Sequence, residues 1–484
     1  MTGLHFTTAS DLASLVRRRK IGALELLNLQ LKRVARHNPV LNAIIATTLV
    51  DARAQARSVD RALAKGEQVG KLAGVPMTVK ESFNLKGLPT TWGLPEFKSV
   101  DAKEDALAVK RLKAAGAVIF GKSNVPTLLA DWQTFNPVYG TTNNPWDVTR
   151  VPGGSSGGAA AALAAGLTAL EIGSDIGASI RDPAHYCGVY GHKSTYGICS
   201  YQGHALPGMV ADPDISVIGP LARSVGDLQL ALSVIAGPDD IDAAGWNLSL
   251  PKPRKGALSE FKVAVMLSHP TAEVDGAVQA QIEHLARWLG KQKVKISFTA
   301  RPAFDAVEAH RLFLQLVRAA TSGRQSAAQF ARWEKIAAAR GARDTGYEAQ
   351  AARANTMRHK DWLGFNERRH QMRRAWAAFF GQYDLLLCPV AATTAFHHNQ
   401  KGERWERMIM VNGRPQPSTT QMFWAGYSGM CYLPSTVAPI GFSSEGLPVG
   451  VQVIGPQYGD LTTLAFARHI ERGYHGFVAP LGYD

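Results

Sequence analysis

The sequence predicts an α/β fold: a large, mixed, twisted β-sheet covered on both faces by α-helices. Three observations carry this. Short apolar runs of strand length alternate with longer stretches of helical periodicity, the pattern of strands linked by covering helices. The strand-length runs, such as 117–120 and 383–389, are apolar without alternation, as in strands buried on both faces. The chain is also long enough for a sizeable core, with 484 residues, 46% hydrophobic and 19% charged.

In chain order, residues 8–37 carry one helical pattern, with Thr8 or Ser10 as N-cap and Leu12, Leu15, Val16, Leu24, Leu27 and Leu31 on its apolar side. The basic run 17–20 falls on its solvated face. Residues 42–66 read as a second helix. The run 74–80 is an apolar strand ending on Lys80, an uncommon place for lysine, which is rarely buried without a partner. A helix over 105–116 and a strand over 117–122 follow, then a polar loop to 150. Beyond the glycine- and serine-rich stretch 151–197 come helices at 225–236, 274–289 and 462–472 and strands at 261–267, 383–389 and 447–455. The sheet is expected to be mostly parallel. Residues 301–380 are almost wholly helical in pattern and basic, a candidate cap or insertion on one domain spanning 1–484.

The formal net charge of +14 invites a nucleic-acid reading. Between Arg311 and Arg374 stand 14 Lys/Arg against 5 Asp/Glu, and Arg368, Arg369, Arg373 and Arg374 are the residues an RNA would meet. Aromatics do not interleave with the basic runs, so a basic enzyme surface is the expectation and nucleic acid is not an expected partner. Four cysteines in so long a chain form neither a disulfide framework nor a paired CxxC site. His397-His398 lacks the companions of a metal site, and no metal or cofactor is expected. The N-terminus lacks an apolar signal segment and no run of 18 apolar residues occurs, so a cytoplasmic protein without membrane partners is expected.

The chemistry concentrates in 151–197, VPGGSSGGAAAALAAGLTALEIGSDIGASIRDPAHYCGVYGHKSTYG. Small-residue turns carrying hydroxyls and feeding an Ala/Leu run suit an anion or oxyanion cradle. A nucleotide P-loop needs a Lys-Ser/Thr after its glycines, and none is present. The elbow pattern G-x-S-x-G is met twice, at 153–157 and 154–158, but in a segment that reads as loop rather than strand-turn-helix. A third reading joins two serines to a lysine: serine needs a base to become a nucleophile, and burial lowers a lysine pKa toward neutrality. Spacing alone does not bring Lys80, Ser155 and Ser179 together. Cys187 is expected to be a packed small residue, and His185, His192 and His204 to make structural hydrogen bonds.

The stretch resembles the amidase signature family of serine hydrolases. The matching segments are Pro152-Gly-Gly-Ser-Ser-Gly-Gly158 and, 24 residues on from Ser155 to Ser179, Gly173-Ser-Asp-Ile-Gly-Ala-Ser-Ile-Arg181, with further matches at 74–80, 121–126, 144–146 and 446–456. The resemblance implies that Ser179 is the nucleophile, that Ser155, following a cis peptide bond, relays its proton to Lys80, and that the N–H groups of Ile176, Gly177, Ala178 and Ser179 form an oxyanion hole. It implies supporting roles for Ser156, Asp175 and Arg181 and a place for Leu129 in the acyl pocket; Trp132, Phe135, Trp424 and Tyr427 are further candidates for the lining. The sequence departs from the family's usual pattern at Ala178, where glycine is common, at Glu81 and at Ser194. The expectation is an amidase that hydrolyses carboxylic amides through an acyl-enzyme, with carbamates and esters open. The alternatives are a component of an amidotransferase that acts on glutamine for tRNA, or a non-catalytic binding protein. A homodimer is compatible with the sequence, which does not determine the oligomeric state.

Overall fold

A computed structural model describes residues 3–483. A three-stranded sheet forms first: β1 (Ile44–Thr47), β2 (Pro76–Lys80) and β3 (Val118–Ser123), in the order β1-β3-β2. A small ribbon, β4 (Phe135–Asn136) with β5 (Gly140–Thr141), precedes the glycine-rich stretch. The main sheet collects β6 (Glu171–Asp175), β7 (Tyr190–Lys193), β8 (Val217–Ala222), β9 (Lys262–Val265), β10 (Lys295–Ser297) and β11 (Leu385–Pro389). A second ribbon, β12 (Met408–Val411) with β13 (Arg414–Pro417), stands apart, and β14 (Ser435–Phe442) and β15 (Pro448–Ile454) complete the main sheet in the order β10-β9-β11-β15-β14-β7-β8-β6.

The mixed sheet agrees with expectation, but its strands are mostly antiparallel, contrary to the sequence reading. Only β10–β9 and β9–β11 pair in parallel; the other five pairings are antiparallel. The reason lies in the connections. A parallel neighbour needs a crossover of a dozen or more residues, and β14 turns directly into β15 through residues 443–447. β2, β3, β6, β7, β8, β11 and β15 are buried along their whole length, which explains their unbroken apolar character.

Two expected helices divide. The pattern over 8–37 breaks into Ala9–Arg17, capped by the Thr8 side chain, and Ala23–Leu41. Arg19 at φ 55° turns the chain between them, with the basic run 17–20 exposed. Residues 42–66 contain β1 before the helix Leu49–Ala64; Ile44 and Ile45 suit a strand, and β1 pairs antiparallel with β3.

The basic segment 301–380 forms helices Ala306–Ser322, Ala327–Ala339, Tyr347–Asn355 and nearly all of His359–Gln382. Its arginines are not a free RNA-facing row. Arg369 is 1% exposed and pairs with Asp214 at 2.7 Å, Arg368 pairs with Glu308, and Arg373 donates to Gln457 at 2.7 Å. Among the described residues no helix is long and apolar enough to cross a membrane.

Candidate active site

Lys80 ends β2 wholly buried, and its Nζ donates to Ser155 Oγ at 2.6 Å and to Ser174 Oγ at 3.1 Å. Burial pushes its pKa down to about 7, against the opposing pull of Asp175, Asp182, Glu81 and Glu171. A neutral amine therefore coexists at neutral pH with a hydroxyl in hydrogen-bond reach. Ser155 follows a cis Gly154–Ser155 peptide in the turn before helix Gly157–Ala164. The turn is packed against its neighbours: a Cβ at Gly154 would lie 2.3 Å from the Asp131 carbonyl, and one at Gly158 2.3 Å from Asn124 N. Glycine alone allows that approach.

Ser179 follows β6 in a turn held by one carboxylate. Asp175 accepts from the N–H groups of Ala178 at 3.0 Å, Ile180 at 3.1 Å and Arg181 at 3.3 Å. The buried Arg181 guanidinium closes on the same carboxylate at 2.8 Å and 2.9 Å, and on Ala425 O, Ser428 Oγ and Gln452 Oε1. Burial opposes ionisation of Asp175, but Arg181 and the N–H donors hold its pKa below the ordinary value. The Ser156 N–H donates to the Ser179 carbonyl at 3.1 Å, tying the two serine turns together.

Ser155, Ser174, Ile176, Gly177 and Ser179 share one cavity of about 440 Å³. Leu128 and Leu129, both with left-handed backbones (φ 54° and 57°), form part of its apolar lining, and Trp132 fixes the turn by donating to Gly177 O at 2.7 Å. Helix Ala306–Ser322, the helices after it and the 403–422 segment supply the rest of the lining.

The family model described as Amidase matches residues 25–464. The chain belongs to the amidase family. It is 32% identical to a glutamyl-tRNA(Gln) amidotransferase subunit of Moorella thermoacetica, across 99% of both chains. It is also 32% identical to the indoleacetamide hydrolase of Bradyrhizobium diazoefficiens, across 96% of this chain and 86% of that one. A solved chain from a vestigial protein complex bearing on the origins of an s-triazine catabolic enzyme superposes with a TM-score of 0.81 at 27% identity, covering 98% of this chain and all of that one.

In this member of the family the expected residues converge: Lys80, Ser155 and Ser156, Asp175 to Ser179, Arg181 and Leu129 surround one cavity or buttress its turns. Ala178 departs from the reading of the sequence. Its N–H is taken by Asp175 Oδ1, so it is not a free oxyanion donor, whereas the N–H groups of Ile176, Gly177 and Ser179 have no acceptor among the described residues. Ser156 Oγ is buried without a partner among the described residues. Trp132 lines the cavity, while Trp424 and Tyr427 are core residues and Phe135 lies under Arg407. His204 both faces the cavity and bonds Ser82 at 2.8 Å; His185 and His192 are held elsewhere, by Thr393 and Gly450 and by Thr436 and Asp460. Burial pushes the Cys187 thiol well up, as suits a packed residue. Sequence reasoning passes over Ser174, although it sits inside the matched 173–181 segment, and the arginines of the cavity lining, for which the sequence holds no positional signal.

Proposed function

We propose that the protein hydrolyses small carboxylic amides through an acyl-enzyme on Ser179. Neutral Lys80 accepts the Ser155 proton as Ser155 accepts that of Ser179, and Ser179 Oγ bonds to the amide carbon. The N–H groups of Ile176, Gly177 and Ser179 receive the oxyanion, each such donor contributing roughly 3–4 kcal/mol to the transition state. The proton returns through Ser155 to the amine as the C–N bond breaks, and water then hydrolyses the ester by the same relay. Carbamates and esters enter by the same route. One observation carries the reading: a buried lysine, its pKa near neutrality, lies 2.6 Å from a serine that shares a cavity with Ser179.

A fluorophosphonate probe tests it. Wild type should be labelled, Ser179→Ala should not, and Ser443→Ala, on the turn after β14, should remain labelled. Absence of labelling together with no turnover of an anilide, a primary amide, a carbamate or a p-nitrophenyl ester would sink the proposal.

The full-length likeness to an amidotransferase component favours a second reading, glutamine hydrolysis for tRNA within a complex. Against it, both carboxylates lining the cavity are paired, Asp131 with Arg407 at 2.6 Å and Glu403 with Arg332 at 3.7 Å, leaving none for the α-ammonium of glutamine. Glutaminase activity exceeding that on anilides would reverse the order.

A further inference from the structure

The cavity that holds the serines is also lined by five arginines, Arg318, Arg324, Arg332, Arg404 and Arg407, against two carboxylates, Asp131 and Glu403. Arg407 and Arg332 are matched by those carboxylates. The other three have no carboxylate partner among the described residues. Arg318 donates to the Tyr347 hydroxyl and leaves its buried Nε unpartnered. Arg404 donates to the Ala130 carbonyl. Arg324 lies over the Trp92 ring, 4.6 Å from its centre, and its guanidinium has no hydrogen-bond acceptor at all among the described residues. A guanidinium partly withdrawn from water and left unmatched is a standing cost unless an anion joins it. Its planar donor fork fits a carboxylate in particular.

These arginines act in the same sense on their neighbours. Burial alone would raise the Tyr347 phenol, yet Arg318 and Arg404 outweigh it and bring its pKa below the ordinary value. Arg404 is pushed down to about 10, by burial first and by Arg318 next. Arg324 lines the same cavity as the serines and His204, and its charge and that of Lys80 both act on the His204 ring. Leu128, Leu129 and Ile176 add apolar lining to the same cavity.

We propose that the site selects amides bearing a free carboxylate away from the scissile bond, with Arg324 as its principal anchor and Arg318 and Arg404 supplying the surrounding positive field. This rests on the amide-hydrolase reading and names its substrate class. The carboxylate belongs to either the acyl or the amine half; both place the same anion against the same arginines, and the apolar lining takes the hydrocarbon.

The test compares matched pairs. Glutaric acid mono-4-nitroanilide against its methyl ester puts the carboxylate on the acyl half, and 4-acetamidobenzoate against acetanilide puts it on the amine half. In at least one pair the charged member should have a kcat/KM ten- to a hundredfold higher, expressed mainly in KM. Arg324→Gln and, to a lesser degree, Arg318→Gln should collapse that ratio toward unity, and Arg324→Lys should restore part of it. Direct titration with glutarate should show binding to wild type that Arg324→Gln loses, with fluorophosphonate labelling confirming that the variant is folded. If wild type labels but shows neither a charge preference nor glutarate binding, or if the ratio survives Arg324→Gln, this inference falls and the hydrolase reading stands. If labelling and turnover are absent yet glutarate binds through Arg324, the hydrolase reading falls and the carboxylate site stands.

Discussion

The two regions that build the cavity handle charge in opposite ways. On the serine side, Asp175 and Arg181 are fully buried and mutually satisfied, and Lys80, like Lys193, is brought toward neutrality by burial rather than by a partner. In the 301–422 region, three arginines face the cavity with no carboxylate partner among the described residues. The contrast separates two tasks. Fixed, matched charge holds reacting groups in place without competing for substrate, while unmatched charge has free energy left for a ligand. Rigidity and selectivity are thus assigned to different parts of the chain, the 151–197 stretch and the 301–422 region.

The comparison is broken most severely on the serine side. Lys80→Ala and Ser179→Ala should each lower kcat on an anilide by on the order of 10⁴-fold or more, read in a steady-state assay, since each removes a member of one relay. Next in size, Arg181→Met should destabilise the protein by about 3–5 kcal/mol in urea unfolding, because it strands the Asp175 carboxylate without its counter-ion. An unaltered unfolding midpoint would show that the turn does not depend on the pair. A milder lever is pH. Lys80 can accept a proton only when neutral, and its folded pKa lies near 7, well below the ordinary 10.5, so kcat/KM should rise with pH through about 7 and level off above it. A profile flat from pH 5.5 to 8.5 would exclude Lys80 as the base. The smallest effect concerns Ala178, a non-glycine residue at φ 72°. Ala178→Gly should stabilise the turn by roughly 1 kcal/mol through release from the left-handed region, seen as a shift in melting temperature.

Much of the serine side was legible through resemblance: the segments 152–158 and 173–181 and the strand ending on Lys80 match the family's pattern. Spacing alone did not join them, since Lys80 lies 75 residues before Ser155 in the chain. The engagement of the Ala178 N–H by Asp175 was not legible, since a residue name does not say which way its amide points. Nor were the arginines of the 301–422 region: periodicity identified helices over 301–380 but not which guanidinium turns inward at 324 and which pairs with Asp214 at 369. β14 is hidden in the sequence because Pro439 and Gly441 interrupt its apolar run, and it holds its place through pairing with β15 and β7. The antiparallel sheet is hidden for a different reason: strand direction follows from connections that apolar runs do not encode.

β2, which brings Lys80, and β6, which leads into the Ser179 turn, are edge strands of two different sheets that pack side by side, joined by Thr78 N–H to Thr168 Oγ1 at 3.0 Å and by the Thr78 hydroxyl to Glu171. Proton acceptor and nucleophile therefore meet only across a seam. A chain in which both sheets have formed but have not yet docked would display full circular dichroism and no turnover. Recovery of activity after dilution from denaturant should accordingly trail recovery of secondary structure, making catalysis the last clock to start in this molecule.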